Sequence, residues 1–303
     1  MFWKRNIDST KRAVLITGCD SGFGNRLALR LNDIGFYTYA AVLSADSPGA
    51  QDLSTKCKHA DSMYVLEMDV TRDDQIDRCF EQIKVDLNVK GYELWAVVNN
   101  AGIVSYGNLE WGSMEEYIKL FDVNVFGVVR VTRKFIPLLR QSRGRIVLTA
   151  SLGGRLSADL LSAYCMTKAA VISFSDALRR EMHKFKIQVT TIEPGVFKTG
   201  MYYTVVDILQ RNWSQTDESV RQIYGENYFN ELIKRYSKGN SHGVGADAGA
   251  DIDKVVNDMV DAVISRRPNR YYRPVNGLLP SLAARFVSII PQFFIDRYFY
   301  ATD

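Results

Sequence analysis

Six short apolar runs, each followed by a turn and then an amphipathic stretch, constrain this chain more than any other feature. They are AVLITG (13–18), FYTYAAVL (36–43), MYVLEMDV (63–70), LWAVVNNAG (94–102), GRIVLTAS (144–151) and IQVTTIEPG (187–195). Continuous apolar runs, rather than alternating ones, belong to strands buried on both faces, and their alternation with helical patterns predicts a parallel sheet. The expected fold is a doubly wound parallel sheet in three α/β/α layers. With 303 residues and 47% hydrophobic content the chain can fill a sizeable core. One domain over 1–303 is expected, with an N-terminal tail (1–12), a substrate-binding excursion and mobile glycine-rich loop (about 200–250), a helix from Asp251 to Arg266, and an apolar tail (278–303) that extends a lid over the substrate.

Several function classes are excluded early. Thirty-eight basic and 34 acidic residues give a net charge of +4 with no dense basic stripe, which argues against nucleic acid as a partner. Cys19, Cys57, Cys79 and Cys165 form no CxxC pair and only three histidines are present, so reduced thiols are expected and a metal site is not. The first residues contain no apolar stretch long enough for a secretory signal or anchor, so the catalytic body is expected in a cytoplasmic setting. The tail 278–300 is interrupted by Pro280, Arg285, Pro291, Asp296 and Arg297. It suits packing over the pocket or peripheral membrane contact better than a membrane span.

In a doubly wound sheet ligands bind beyond the carboxyl ends of the strands, where GCDSGFG, NNAG, SLGG and EPGVFKT fall. A single glycine or asparagine there is ordinary turn chemistry, but four such segments together mark a site. Gly18, Gly22 and Gly24 form TGxxxGxG between a strand and a helix, where absent side chains let backbone amides approach a pyrophosphate at the helix N-terminus. Asp20, Ser21 and Phe23 complete that loop. Farther along, Tyr164 and Lys168 stand four apart on one helix face, where the ammonium is expected to lower the phenol pKa and the phenolate to accept an alcohol proton. A YxxxK pair alone is a common surface pattern; its company makes it informative.

TGxxxGxG, NNAG, Asn124, Ser151 and YCMTK, taken together over about residues 11–199, resemble the short-chain dehydrogenase/reductase family, a Rossmann fold. CDSGFG, IPLLRQSRGRIV and EPG are similar to the branch holding retinol dehydrogenases, oxidative 17β-hydroxysteroid dehydrogenases and D-β-hydroxybutyrate dehydrogenase. The resemblance implies a catalytic set of Asn124, Ser151, Tyr164 and Lys168. Ser151 would hold the substrate oxygen, and Asn124 would support a water joining Lys168 to solvent. It also implies that Asp69 bonds the adenine amino group beside Val70, with helix N-capping as its alternative role. Asn100, Ala101, Gly102, Pro194, Gly195, Val196 and Thr199 would wall the rest of the cofactor site, and a homodimer or homotetramer would form.

NAD(H) is favoured over NADP(H). The position at the end of the second strand that reads the ribose falls on Val42, followed by Leu43 and Ser44, with no base nearby, while Asp20 and Asp46 would repel a 2′-phosphate. For the substrate, the aromatics of 200–235 (Tyr202, Tyr203, Trp213, Tyr224, Tyr228, Phe229) favour a secondary alcohol or ketone on a steroid, retinoid or related lipid. A 3-hydroxybutyrate substrate would need a cation, for which Lys198, Arg211, Arg221 and Lys234 are available. A catalytically silent NAD-binding scaffold or sensor is the reading from another class.

Overall fold

The strand segments pair into one seven-stranded parallel sheet in the computed structural model, which describes residues 6–197, 199–237, 251–287, 290, 291, 293 and 297. The glycine-rich stretch 238–250, Lys198 and most of the tail beyond Val287 lie outside the described residues. The strands are β1 (Arg12–Ile16), β2 (Tyr37–Val42), β3 (Met63–Glu67), β4 (Glu93–Asn99), β5 (Arg145–Thr149), β6 (Gln188–Ile192) and β7 (Tyr271–Tyr272). Their order is β3-β2-β1-β4-β5-β6-β7, so the chain reverses its direction of travel across the sheet between β1 and β4. That switch leaves a crevice at the carboxyl ends of the two strands.

Each apolar run serves both faces, because successive side chains in a strand point to opposite sides. Ala13 and Leu15 of β1 pack with Val97 and Ile146 on one face, together with Ile76, Ile83, Val131, Phe135, Val171 and Leu178. These come from α3 (Asp73–Lys90), α5 (Val128–Ser142) and α6 (Ser162–Met182). Val14 and Ile16 face the other layer with Ala40, Val98 and Val147, against Leu27 and Leu31 of α1 (Gly22–Ile34) and Val256, Met259 and Val263 of α11 (Asp253–Ile264). At about 1.5–3 kcal/mol for each large side chain buried, these two layers dominate the driving force for the fold.

Two expectations are corrected in detail. There are seven strands rather than six, because RYYRP contributes Tyr271–Tyr272, a strand too short to carry a periodic signal, paired in parallel with Thr191 and Ile192. The last sheet-covering helix is Asp253–Ile264, shorter at both ends than Asp251–Arg266. Most of the apolar runs also outlast their strands by two or three residues: β1 stops at Ile16, β4 at Asn99 and β5 at Thr149. The residues left over turn out of the ladder and form the crevice.

Residues 200–237 fold as α7 (Gly200–Tyr203), α8 (Val205–Gln215), α9 (Glu218–Tyr224) and α10 (Glu226–Ser237). Trp213 stacks on Phe229 with ring centroids 4.7 Å apart, and both meet the fully buried Trp111 from the segment after β4. α12 (Leu278–Phe286) follows β7, and its Ala284, with Val287, packs on Leu152 and Val275. Among the described residues no helix is long and apolar enough to cross a membrane.

Candidate active site

The glycine loop interlocks with the end of β4. Gly18 has φ +69°, and a Cβ there would stand 2.7 Å from the Ala101 Cα; one on Gly24 would stand 2.3 Å from the Gly18 carbonyl oxygen. Neither position has room for a side chain. Thr17 secures the junction: its Oγ1 accepts from the Asn100 and Ala101 amides at 3.0 and 3.1 Å, while Asn100 Nδ2 donates to the Thr17 and Gly18 carbonyls, each at 3.0 Å. Ser21 occupies the N-cap of α1 without a side-chain capping bond, which leaves the first-turn amides available to an anion. Phe23 meets Phe197 edge-on at 6.0 Å, so the segment after β6 folds back onto the glycine loop, and Thr199 lies beside Gly22.

Asp20 Oδ1 accepts the Leu43 amide at 2.9 Å and ties the loop to the end of β2. Val42 is fully buried in the α1 layer, so the side chain that reaches the crevice from β2 is Leu43, which is 64% exposed. At the end of β3, Asp69 Oδ1 accepts from the Thr71 amide and hydroxyl at 2.9 and 2.8 Å. Asp69 therefore closes a local turn; α3 starts at Asp73 with Arg72 at its N-cap, which displaces the capping role considered for Asp69.

These segments line one crevice of about 1140 Å³. Gly18, Asp20, Ser21, Gly22, Phe23, Asp69, Val70, Asn100, Ala101, Gly102, Ser151, Tyr164, Lys168, Pro194, Gly195, Val196 and Thr199 all reach its wall. Gly24 and Asn124, the remaining two, stand one layer behind. The side-chain-free loop at a helix N-terminus, followed by a carboxylate at β3 and a small-residue wall at β4, fits an extended dinucleotide.

Asn124 lies in a π-helical turn, Asp122–Gly127, between α4 (Met114–Phe121) and α5. Such turns rotate side chains out of the α-helical register and recur at functional sites. Its Oδ1 accepts the Ile103 amide at 2.8 Å, and its Nδ2 donates to the Ile103 carbonyl at 2.9 Å and Thr167 Oγ1 at 3.1 Å. Asn124 thus clamps the chain after NNAG to the helix that carries Tyr164. Thr17 and Thr167 hold the site from behind; the T of the TG motif signals the first, and nothing in the sequence singles out the second.

Ser151 caps the short turn Leu152–Gly154, with Oγ accepting the Gly153 amide at 3.0 Å. Its hydroxyl donates to the Pro194 carbonyl at 3.4 Å. Lys168 is buried; Nζ donates to the Thr149 carbonyl at 3.1 Å and lies 5.5 Å from the Tyr164 ring centre. Burial pushes the phenol up to about 12, opposed by the Ser151 hydroxyl, and pushes the Lys168 ammonium down to about 8. The four-residue spacing predicts a lowered phenol; the shift runs the other way, because burial disfavours the charged form of both groups.

On the far side, Tyr106, Leu156, Leu161, Met201, Ile208 and Arg211 line the crevice. The expected aromatic lining from 200–235 is corrected: Trp213, Tyr224 and Phe229 are consumed in the core they share with Trp111. α12 lies behind Leu152 and Leu156, which themselves reach the crevice, and none of its described residues reaches the wall. Of the four candidate cations only Arg211 reaches it, paired with Glu116; Arg221 and Lys234 do not, and Lys198 lies outside the described residues.

The short chain dehydrogenase profile matches residues 12–208. The chain is similar to mitochondrial D-beta-hydroxybutyrate dehydrogenase of Bos taurus, 37% identical over 272 residues that cover 88% of this chain and 77% of that protein. It is also similar to estradiol 17-beta-dehydrogenase 2 of Mus musculus, with 37% identity covering 96% of this chain and 75% of the other. Retinol dehydrogenase 16 of Rattus norvegicus is 36% identical, covering 96% and 88%. Among solved structures, a short-chain dehydrogenase from Streptomyces avermitilis shares the fold with a TM-score of 0.69 at 24% identity, over 95% of this chain and 93% of that one. With its sheet order, its crevice and this agreement along most of its length, the chain belongs to the short-chain dehydrogenase family, oxidoreductases that act on CH–OH groups with a nicotinamide cofactor.

Proposed function

We propose that the protein interconverts an alcohol and its carbonyl on an apolar lipid, a secondary alcohol and ketone on a steroid or an alcohol and aldehyde on a retinoid, with NAD(H) as the cofactor. The observation that carries the reading is the meeting of Ser151, Tyr164 and Lys168 on one wall of the crevice that begins at the Gly18–Gly24 loop. The nicotinamide, when bound, supplies hydride acceptance and donation. The chain's own residues handle the proton. Ser151 Oγ and Tyr164 Oη hold the substrate oxygen between them. In oxidation the hydroxyl proton passes to Tyr164, and the positive charge of Lys168 stabilises the phenolate from which that acceptor is drawn. Asn124 holds the backbone against which Lys168 packs: a Cβ on Gly102 would stand 3.3 Å from Asn124 Oδ1 and 3.4 Å from Lys168 Nζ.

Support for an apolar substrate comes from Leu156, Leu161, Met201 and Ile208 on the far wall. Asp207 shares that wall with Arg211, and Arg211 is already paired with Glu116, so the wall is poorly matched to a small carboxylate. The similarity to hydroxybutyrate dehydrogenases and the presence of Arg211 keep (R)-3-hydroxybutyrate as the second reading. Support for NAD(H) comes from Asp20 and from the absence of a basic side chain at Leu43. Steady-state rates with an estradiol-like steroid, retinol and 3-hydroxybutyrate decide between the two substrates: the highest kcat/KM is expected on a lipid alcohol, and activity confined to hydroxybutyrate overturns that assignment. A protein that binds NAD and turns over none of the three is the scaffold instead.

A further inference from the structure

Glu193 is the residue between β6 and the Pro194–Gly195 turn, and it is fully buried. Two guanidinium groups converge on it. Arg155 donates from Nη2 to Oε1 at 2.9 Å and from Nε to Oε2 at 3.3 Å, while Arg273 donates from Nε to Oε2 at 2.8 Å. Each arginine leads to a different part of the molecule. Arg155 ends the turn that Ser151 begins, and the Leu152 amide of that turn donates to the Pro194 carbonyl at 2.9 Å. Arg273 follows β7, and its Nη1 donates to the Ala284 carbonyl of α12 at 3.1 Å. Ala284 and Val287 then pack on Leu152, one residue from Ser151. The Tyr271 ring lies against the same group, with the Arg155, Arg179 and Arg273 guanidinium carbons 5.2, 5.2 and 5.6 Å from its centre.

A buried Arg–Glu–Arg bridge is poor evidence for stability, since well-packed apolar side chains of similar volume often do as well or better. What such a bridge does supply is direction, because a planar guanidinium holds a carboxylate in one orientation. We propose that Glu193 is a positioning residue. Through Arg155 it sets where Ser151 stands, and through Arg273 it makes that position depend on α12 being docked, so that the C-terminal helix acts as a latch on the serine turn. This rests on the reading that Ser151 holds the substrate oxygen. Glu193 also precedes Pro194 and Gly195, which wall the cofactor site, so the latch is read from its coupling to Ser151 and not from NAD affinity.

The test is a double-mutant cycle on the full chain with Arg273→Met and Ser151→Ala. Arg273→Met is expected to lower kcat, measured at saturating NAD, by about ten- to hundredfold, the scale on which a displacement of about 1 Å acts on a positioned group. In the Ser151→Ala background Arg273→Met is expected to have little further effect, because the group being positioned is gone. Where Arg273→Met fails to fold, Arg273→Lys carries the same test: a single ammonium lacks the two separated nitrogens with which Arg273 spans Glu193 and the Ala284 carbonyl, and an intermediate loss of kcat is expected. Additive losses in the two backgrounds overturn the latch and leave the site reading intact. An undiminished rate in Ser151→Ala overturns the site reading and the latch with it.

Discussion

Tyr164 and Lys168 are in tension with their surroundings, because burial raises the proton affinity of the phenol and lowers that of the ammonium. Oxidation requires an unprotonated acceptor, so its kcat/KM is expected to rise with pH, while reduction, which consumes a proton, falls. A flat oxidation profile from about pH 6 to 10 would argue against the pair as proton acceptor. Tyr164→Phe is expected to cost at least about 10²–10⁴ in kcat with NAD binding retained. Lys168→Met tests function and stability together. Between the folded pKa of about 8 and the ordinary lysine value the unfolded chain binds more protons, so stability rises with pH in that window, and below it the fold carries a buried ammonium at a cost. Replacing it is expected to stabilise the protein at pH 7 by about 2 kcal/mol, net of the lost bond to Thr149, while turnover collapses. A thermal melt that shows destabilisation instead would contradict this. Asp20→Asn keeps an acceptor for the Leu43 amide and removes the charge, and KM for NADP is expected to fall about tenfold relative to that for NAD. The residue types of this set were legible in the sequence because their spacing is chemical. The pKa directions were not, because they depend on how much protein surrounds each group.

At the scale of elements, the crevice exists because strands end early and glycines let segments touch. Gly24→Ala would drive a Cβ to 2.3 Å from the Gly18 carbonyl and 2.5 Å from Asn100 Nδ2. The strain falls on backbone, so a destabilisation of about 2–4 kcal/mol and loss of NAD binding are expected, measurable by denaturant unfolding and cofactor titration. The glycine spacing foretold that cradle. The π-helical turn that turns Asn124 inward left no mark in FDVNVFG, since one added residue per turn changes a local periodicity too little to be seen in six positions. The aromatic residues of 200–235 illustrate the limit of composition: they suggested an apolar lining, but Trp111, brought in from the segment after β4, draws Trp213, Tyr224 and Phe229 into a core of their own.

At the scale of the molecule, α12 leaves Leu279, Leu282 and Phe286 exposed while Ala284 faces Leu152. Flotation with vesicles is expected to be weak and to disappear on removal of residues 278–303; unchanged flotation of the shortened chain would locate membrane contact elsewhere. Ile118, Phe126 and Met166 are likewise exposed on the α4–α5 and α6 segments. The protein is expected to sediment as a dimer or tetramer, and Phe126→Glu to shift it towards the monomer. By itself the sequence determined the parallel, doubly covered sheet and the identity of the residues beyond its strand ends, because buried strands and phosphate-binding turns each demand particular side chains close together in the chain. Only the tertiary structure decided which side chain fills the wall and which is consumed in packing. It also decided that Val42 is turned into the core while Leu43 faces the crevice, and that Glu193 joins Ser151's turn to a helix some ninety positions away. Those outcomes depend on contacts between distant segments, and distance along the chain carries no record of distance in space.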